Sequence, residues 1–212
     1  MTQLILASSS QYRQQLLANI GVHTRSHAPN IDETPRQGES PVSLSKRLAI
    51  EKAQVVATQF PNDIVIGCDQ VALVETDEGR ELLGKPGTIE NAVKQLLLCQ
   101  GKVVFFFTAL SLCQHGAQKT VTHVEETKVQ FRALTEDLIR AYIDAERPLD
   151  CAGSFKSEGM GVLLFERITS RDPNSLIGLP VMLLRNILER HFDIDLLEMA
   201  TQPLPSAKFA SC

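Results

Sequence analysis

The chain has 212 residues, 43% hydrophobic and 22% charged, with a formal net charge of −4. That balance belongs to a folded globular protein with room for one substantial domain, and it excludes the disordered and fibrous classes. The acidic excess leaves no global basic field for nucleic acid, and no dense Lys/Arg run supplies a local one.

Leu4 to Ala7 is an apolar run that predicts a buried strand, passing without a linker into Ser8, Ser9 and Ser10. Ser10 caps a helix through Asn19, with Leu16 and Leu17 inward and Gly21 just past its end. Ala28 to Glu39 is polar, carries two prolines and reads as a surface loop. Ser40-Pro41 places a capping hydroxyl before a proline at the first helical position. The long helix that follows carries Leu44, Leu48, Val55 and Val56 towards Phe60, where Pro61 stops it. Ile64 to Cys68 predicts a strand, followed by Asp69, and Glu75 to Gly79 a charged turn.

Thr88 starts a helix with Ala92, Val93, Leu96 and Leu97 on one face, and Gly101 ends it. Val103–Leu112 and Thr120–Phe131 read as two long strands joined through the His115-Gly116 turn. Thr135 caps a helix that fades before Pro148, Val162–Ile168 predicts a strand, and Pro180 opens an amphipathic helix to about His191. With no internal repeat and no dividing linker, the expectation is a single α/β domain over residues 1–200. Its sheet is mixed and flanked by helices, and a patternless, disordered tail covers 201–212.

The five cysteines, Cys68, Cys99, Cys113, Cys151 and Cys212, form no C-x-x-C pair, which counts against zinc and redox motifs and fits free thiols in a reducing compartment. The first residues lack the basic segment of a secretory signal, and Val103–Leu112 is too short to span a bilayer. The expected setting is cytoplasmic, with no membrane and no nucleic-acid partner.

The first strand-to-helix junction has its own chemistry. Hydroxyls at a helix start, beside unpaired N–H groups and the positive dipole end, suit an anion. Arg13, one turn in, can add a bidentate guanidinium. Read alone, the same residues also fit a serine cap with a solvated arginine. No G-x-x-x-x-G-K-[ST] is present, so a phosphate site here is not a P-loop.

Elsewhere, "NIDETP" puts Asp32 and Glu33 in a loop, and "LAIEKA" puts Lys52 on a helix between apolar positions. "LLGKPGTIENA" holds Lys85 between Gly84 and Pro86. Singly, these fit a decorated helix and a plain turn. Asp69, set with Gln70 in the apolar run from Ile66 to Val74, favours function more, because an acid there is costly unless paired or metal-bound.

Taken together, "LILASSSQYR", "NIDETP", "LAIEKA", "IGCDQV", "GKPGTIENA" and "RDPNSLIGLP" resemble, in order and spacing, the Maf family of nucleoside triphosphate pyrophosphatases, from Leu4 to about Ile187. The resemblance implies an elongated mixed α/β fold related to the inosine triphosphatases, usually as a homodimer. It implies a house-cleaning hydrolase that cuts a nucleoside triphosphate to the monophosphate and pyrophosphate with a divalent cation (Mg²⁺, Mn²⁺ or Co²⁺). By position, Asp69 matches the family's proton acceptor. Ser8, Arg13, Glu33, Lys52 and Lys85 match the polar lining of its phosphate and metal site, with Glu33 and Asp69 as the metal's oxygen ligands.

Within the family, the thymidine/uridine type has arginine where this chain has Tyr12, threonine for Gln70, and Ile-Gln-Gly for Ser157-Glu158-Gly159. "AGSFKSEGMG" with "DQV" and "RDPN" resembles the branch that hydrolyses 7-methyl-GTP, although Gln14 stands where that branch often carries a second arginine. The branch assigns Tyr12, Gln70 and Glu158 to the substrate. A carboxylate at Glu158 can accept from both N1–H and the 2-amino group of guanine, and the Tyr12 ring favours a cationic base. The alternatives are a dTTP/UTP pyrophosphatase of the same family, or a nucleotide-binding septation regulator without turnover.

Overall fold

Short apolar runs separated by capped helices form a seven-stranded mixed sheet in the computed structural model, which describes residues 2–202. The strands are β1 (Leu4–Ala7), β2 (Arg25–Ser26), β3 (Ile64–Thr76), β4 (Gly79–Leu83), β5 (Val103–Gln114), β6 (Lys119–Phe131) and β7 (Phe165–Thr169). The helices are α1 (Gln11–Asn19), α2 (Pro41–Ala57), α3 (Ile89–Cys99), α4 (Glu136–Glu146), α5 (Val181–Phe192) and α6 (Leu196–Thr201). Ser10, Ser40, Thr88 and Thr135 each accept a backbone N–H three residues on, so the caps expected of them are present.

The sheet order is β2-β1-β3-β5-β6-β7, with β4 also on β3. β1 runs parallel to β3 from Leu4↔Ile64 to Ala7↔Gly67. β4 runs antiparallel to the other end of the same strand edge, from Ala72↔Leu83 to Thr76↔Gly79. Between those pairings, Cys68 to Val71 have β5 on one side and no strand on the other. The sheet is therefore split at mid-strand.

Alternation along β3 assigns its two faces. Val65 and Val71 pack on α2, with Ala53, Val56 and Ala57 near one end and Leu44 and Leu48 near the other. Gly67 lies between them and lets α2 come close: a Cβ there would sit 2.2 Å from the Ala49 carbonyl oxygen and 2.7 Å from the Ala53 nitrogen. On the opposite face, Ile66 and Cys68 join a cluster with Leu17, Leu184, Ile187 and Leu196, while Ala72 and Val74 join another with Val93, Leu96, Ile139 and Phe106. Between these clusters runs a polar row, Gln70 opposite Thr108 opposite Glu125.

Several expectations are corrected. The strand expected to stop at Cys68 continues through Asp69 to Thr76, because Asp69 is paired and the apolar run beyond it is buried. The strand expected over Val162–Ile168 begins only at Phe165. Met160–Leu164 is a 3₁₀ turn in which Leu164 is buried and Val162 and Leu163 are exposed. The second helix ends at Ala57 rather than near Phe60, closed by turn hydrogen bonds from Gln59 to Val56 and from Phe60 to Ala57. Val55 on it faces solvent. Strands β2 and β4 and helix α6 have no counterpart among the predicted elements. Helix α6 runs to Thr201, and the tail from 203 onward lies outside the described residues. Among the described residues, no helix is long and apolar enough to cross a membrane.

Gly67→Ala drives a methyl group into the backbone of α2, where no side-chain rotation relieves it. It should destabilise the protein by about 1–3 kcal/mol, as overpacked cores do. Urea denaturation checks this: the midpoint should fall while the slope stays constant.

Candidate functional site

A cleft of about 760 Å³ opens at the split in the sheet, a volume ordinary for small-molecule sites. One wall is the junction of β1 and α1, where the chain leaves β3 through Ser8, Ser9 and Ser10. The other is the Gly84-Lys85 segment, where the chain leaves at the end of β4. Ser8, Tyr12, Arg13, Glu33, Lys52, Asp69, Gln70, Lys85 and Glu158 all line this cleft. Residues separated by up to most of the chain length are thus gathered into one place.

Its floor is an ion-paired triad. Asp69 projects from β3 towards α2, and the Lys52 Nζ lies 2.7 Å from Asp69 Oδ1 and 2.9 Å from Glu33 Oε1. Lys52 and Asp69 are buried, whereas the Glu33 side chain is 57% exposed on its loop. Burial pushes the Asp69 carboxyl above its ordinary range, and the Lys52 ammonium, then Arg13, pull it partway back.

The serine junction is organised as its sequence suggests. Ser8 Oγ accepts from the Ser10 N–H at 3.1 Å, and Ser10 Oγ caps α1 by accepting from the Arg13 N–H. Arg13, however, is largely committed to the protein. Its Nε donates to the Gly178 carbonyl at 2.8 Å and one terminal nitrogen donates to the Cys68 carbonyl at 2.9 Å. The second bond has a clear cause: Cys68 sits in the gap between β1 and β4, so no strand serves its carbonyl.

Gln70 behaves similarly. It lies on the opposite sheet face from Asp69, and its amide nitrogen donates to Thr108 Oγ1 and Ser175 O, both at 2.9 Å. Arg13 and Gln70 thereby dock the 175–178 segment on β3. Their polar groups serve the cleft's construction as well as its lining.

Lys85 is exposed on the far wall and has no ion-pair partner among the described residues. Its backbone is held by hydrogen bonds from Gly87 to Leu149, Gly153 to Gly84 and Gln95 to Gly84. Glu158 is exposed at the rim, on a loop anchored by Phe155, whose ring packs edge-on against Phe106, Phe131 and Phe165. The Tyr12 hydroxyl donates to Asp150 at 3.4 Å. Burial, with Cys151, Asp150 and Glu158 nearby, raises its pKa, so the ring stays a neutral phenol. Asp150 and Cys151 are cleft residues that the sequence reading missed, and nothing local signals them.

Among the described residues, no group of three or more His, Cys, Asp and Glu side chains gathers into a metal cluster. Glu33 and Asp69 are nevertheless held together through Lys52. Two carboxylates are what Mg²⁺ takes from a protein when substrate phosphates and water complete its shell. The donor set therefore fits a cation shared with a polyphosphate.

The family model for Maf-like protein matches residues 3–191. A protein of Nitrosococcus oceani named 7-methyl-GTP pyrophosphatase is 48% identical over 187 residues, which is 88% of this chain and 92% of that protein. One of the same name from Colwellia psychrerythraea is 44% identical over 191 residues, covering 90% and 94%. Among solved structures, a HAM1 protein from Coxiella burnetii overlaps 62% of this chain and 73% of its own, with a TM-score of 0.37 at 13% identity.

Because burial disfavours its charged form, the Asp69 carboxyl should titrate above the ordinary aspartate value of about 3.9. Removing the cation that opposes this, as in Lys52→Met, should move the midpoint further up. A carbon-detected NMR titration of the side-chain carboxyl checks both; a midpoint that falls in the variant contradicts the pairing.

Proposed function

The chain belongs to the Maf family, and from that premise we propose that it is a nucleoside triphosphate pyrophosphatase acting on 7-methyl-GTP, yielding 7-methyl-GMP and pyrophosphate. The observation that carries the reading is the Lys52–Asp69–Glu33 triad at the floor of a cleft whose other walls are a helix start and a free lysine. The names of two relatives at 44% and 48% identity support the substrate.

Water attacks the α-phosphorus, a P–O bond forms, the bond to the bridging oxygen breaks, and pyrophosphate leaves. Asp69 takes the proton from that water, a task for which a carboxyl poised above its ordinary pKa is suited. Lys52, beside Asp69, orients it and meets the negative charge that builds on the phosphates, and Lys85 meets the chain from the opposite wall. Ser8 and the first N–H groups of α1 offer donors to the same oxygens. Glu33 and Asp69 would hold a divalent cation, which would supply further charge neutralisation.

At the rim, the Glu158 carboxylate accepts from the guanine N1–H and 2-amino group. The Tyr12 face favours the positive charge that N7-methylation places on the ring. The proposal includes a cytoplasmic setting, supported by the free thiols Cys68, Cys99, Cys113 and Cys151. It also includes the homodimer that the family resemblance implies.

Asp69→Asn keeps the shape and removes the base, so pyrophosphate release should fall by about 10²–10⁴-fold while the fold persists. Near-wild-type release from this variant takes Asp69 out of the mechanism.

Glu158→Gln turns one acceptor oxygen into a donor and removes the counter-charge to a cationic base. For 7-methyl-GTP, kcat/KM should fall roughly 10–100-fold, about 1–3 kcal/mol for a bidentate base contact. Turnover of dTTP and UTP should change much less. A substrate panel measures both, and equal losses on every nucleotide would move Glu158 from base reading to the phosphate machinery.

A further inference from the structure

Glu33 occupies a loop with no regular secondary structure, is largely exposed, and still meets a buried ammonium at 2.9 Å. Something other than its own backbone must hold it there. The loop is fastened to α2 by Arg47. Its Nε and one terminal nitrogen grip both oxygens of Glu39 at 2.7 and 2.9 Å, and the other terminal nitrogen binds Glu51 at 3.1 Å. The nitrogen shared with Glu39 also donates to the carbonyl of Thr34, the residue after Glu33, at 3.1 Å.

The fastening is not a solvated surface pair. The Arg47 and Glu39 side chains are only 12% and 9% exposed. Glu39 in turn accepts the Arg36 N–H at 3.0 Å, and the Arg36 guanidinium binds Glu51 at 3.1 Å. A second support lies inside the loop, where Asp32 accepts the Thr34 N–H at 2.9 Å in a tight turn around Glu33. Arg47 and Glu51 precede Lys52 on the same helix, so one helix presents the ammonium on one side and the loop's anchor on another. The guanidinium beside Glu39 holds that carboxyl down at about 2, so the clamp stays charged through the neutral range.

We propose that Arg47 is a positioning residue for the pyrophosphatase reaction. By gripping Glu39, Glu51 and the Thr34 carbonyl, it holds the 32–36 loop so that Glu33 reaches Lys52 and the cation shared with substrate. Arg47 touches neither the phosphates nor the water; it acts through Glu33. The inference rests on the proposed function and extends it to a residue outside the cleft lining.

The test is a double-mutant cycle with Glu33→Gln, read alongside hydrogen exchange of the loop amides. Arg47→Lys keeps the charge, but one ammonium cannot span two carboxylates and a carbonyl. It should speed exchange at the amides of residues 32–34 and 36 and leave the sheet amides unchanged. It should also lower kcat/KM for 7-methyl-GTP by roughly 10–100-fold, the scale of a catalytic group slightly displaced. In the Glu33→Gln background the same change should cost less than about twofold, since its target is already gone. Glu39→Gln, which breaks the grip from the other side, should repeat the pattern and replaces Arg47→Lys if that variant fails to fold. Losses that multiply in the Glu33→Gln background, or loop exchange that does not change, overturn the proposal. If the wild-type protein releases pyrophosphate from no triphosphate, the functional reading fails, and loop exchange alone decides whether Arg47 holds the loop.

Discussion

A lysine and an aspartate are both buried beneath the cleft, and neither is tolerable without the other. An isolated charge away from water costs far more than a folded domain has to spare, so each must be paired or neutralised. The 2.7 Å contact between Lys52 and Asp69 meets that requirement, and Glu33 adds a second acceptor from the solvent side. Breaking such a pair by removing one partner typically destabilises by about 3–5 kcal/mol, because the other charge is left behind. Burial leaves the carboxyl of Asp69 less acidic than usual, and the ammonium that makes the burial tolerable pulls it partway back.

That contact depends on how closely α2 lies on β3. Gly67 permits the approach because it has no side chain to place between the sheet and the Ala49 carbonyl. Two residues on, Asp69 points to the same face and meets Lys52, nearly one helical turn beyond Ala49. The split in the sheet completes the geometry. Because β1 departs after Ala7 and β4 ends at Leu83, the middle of β3 is open at its edge, and the cleft occupies the opening. Arg13 serves the carbonyl that the opening strands, and Gln70 ties the 175–178 segment to the other face. The cleft is built from the places where the sheet's own hydrogen bonding is interrupted.

The Glu158 end of the cleft is held differently. Phe155 anchors its loop in a knot of edge-to-face aromatic rings, and Ser154 adds a 2.6 Å hydrogen bond to Gln95. Glu158, three residues past the anchor, stays exposed, its carboxylate accepting from the neighbouring Ser157 hydroxyl at 3.4 Å. The triad end is fixed by buried charge, whereas the Glu158 end is fixed by apolar packing with polar groups at the rim. The two ends therefore rest on separate sets of contacts.

Local signals in the chain were enough for the capped helices and the long strands. A serine or threonine before an amphipathic run is a cap wherever it occurs, and long runs such as Val103–Leu112 and Thr120–Phe131 read as strands without knowledge of their partners. The residues of the cleft were also legible, through the order of short motifs from "LILASSSQYR" to "RDPNSLIGLP". Strand β4 was not, because its charged, exposed residues gain strand character only by pairing with β3. Nor was the continuation of β3 through Asp69, since a carboxylate in an apolar run is acceptable only once Lys52 lies against it. Local sequence leaves Arg13 available to an anion, whereas the fold sets Gly178, 165 residues away, against its Nε. Asp150 joined the cleft through a contact with Tyr12 spanning 138 residues. Sequence by itself determined the residue types and the local elements, because those depend on neighbours a turn or a strand step away. Tertiary structure decided which polar groups are occupied and which are free, because that depends on partners brought together only when the sheet closes around its gap.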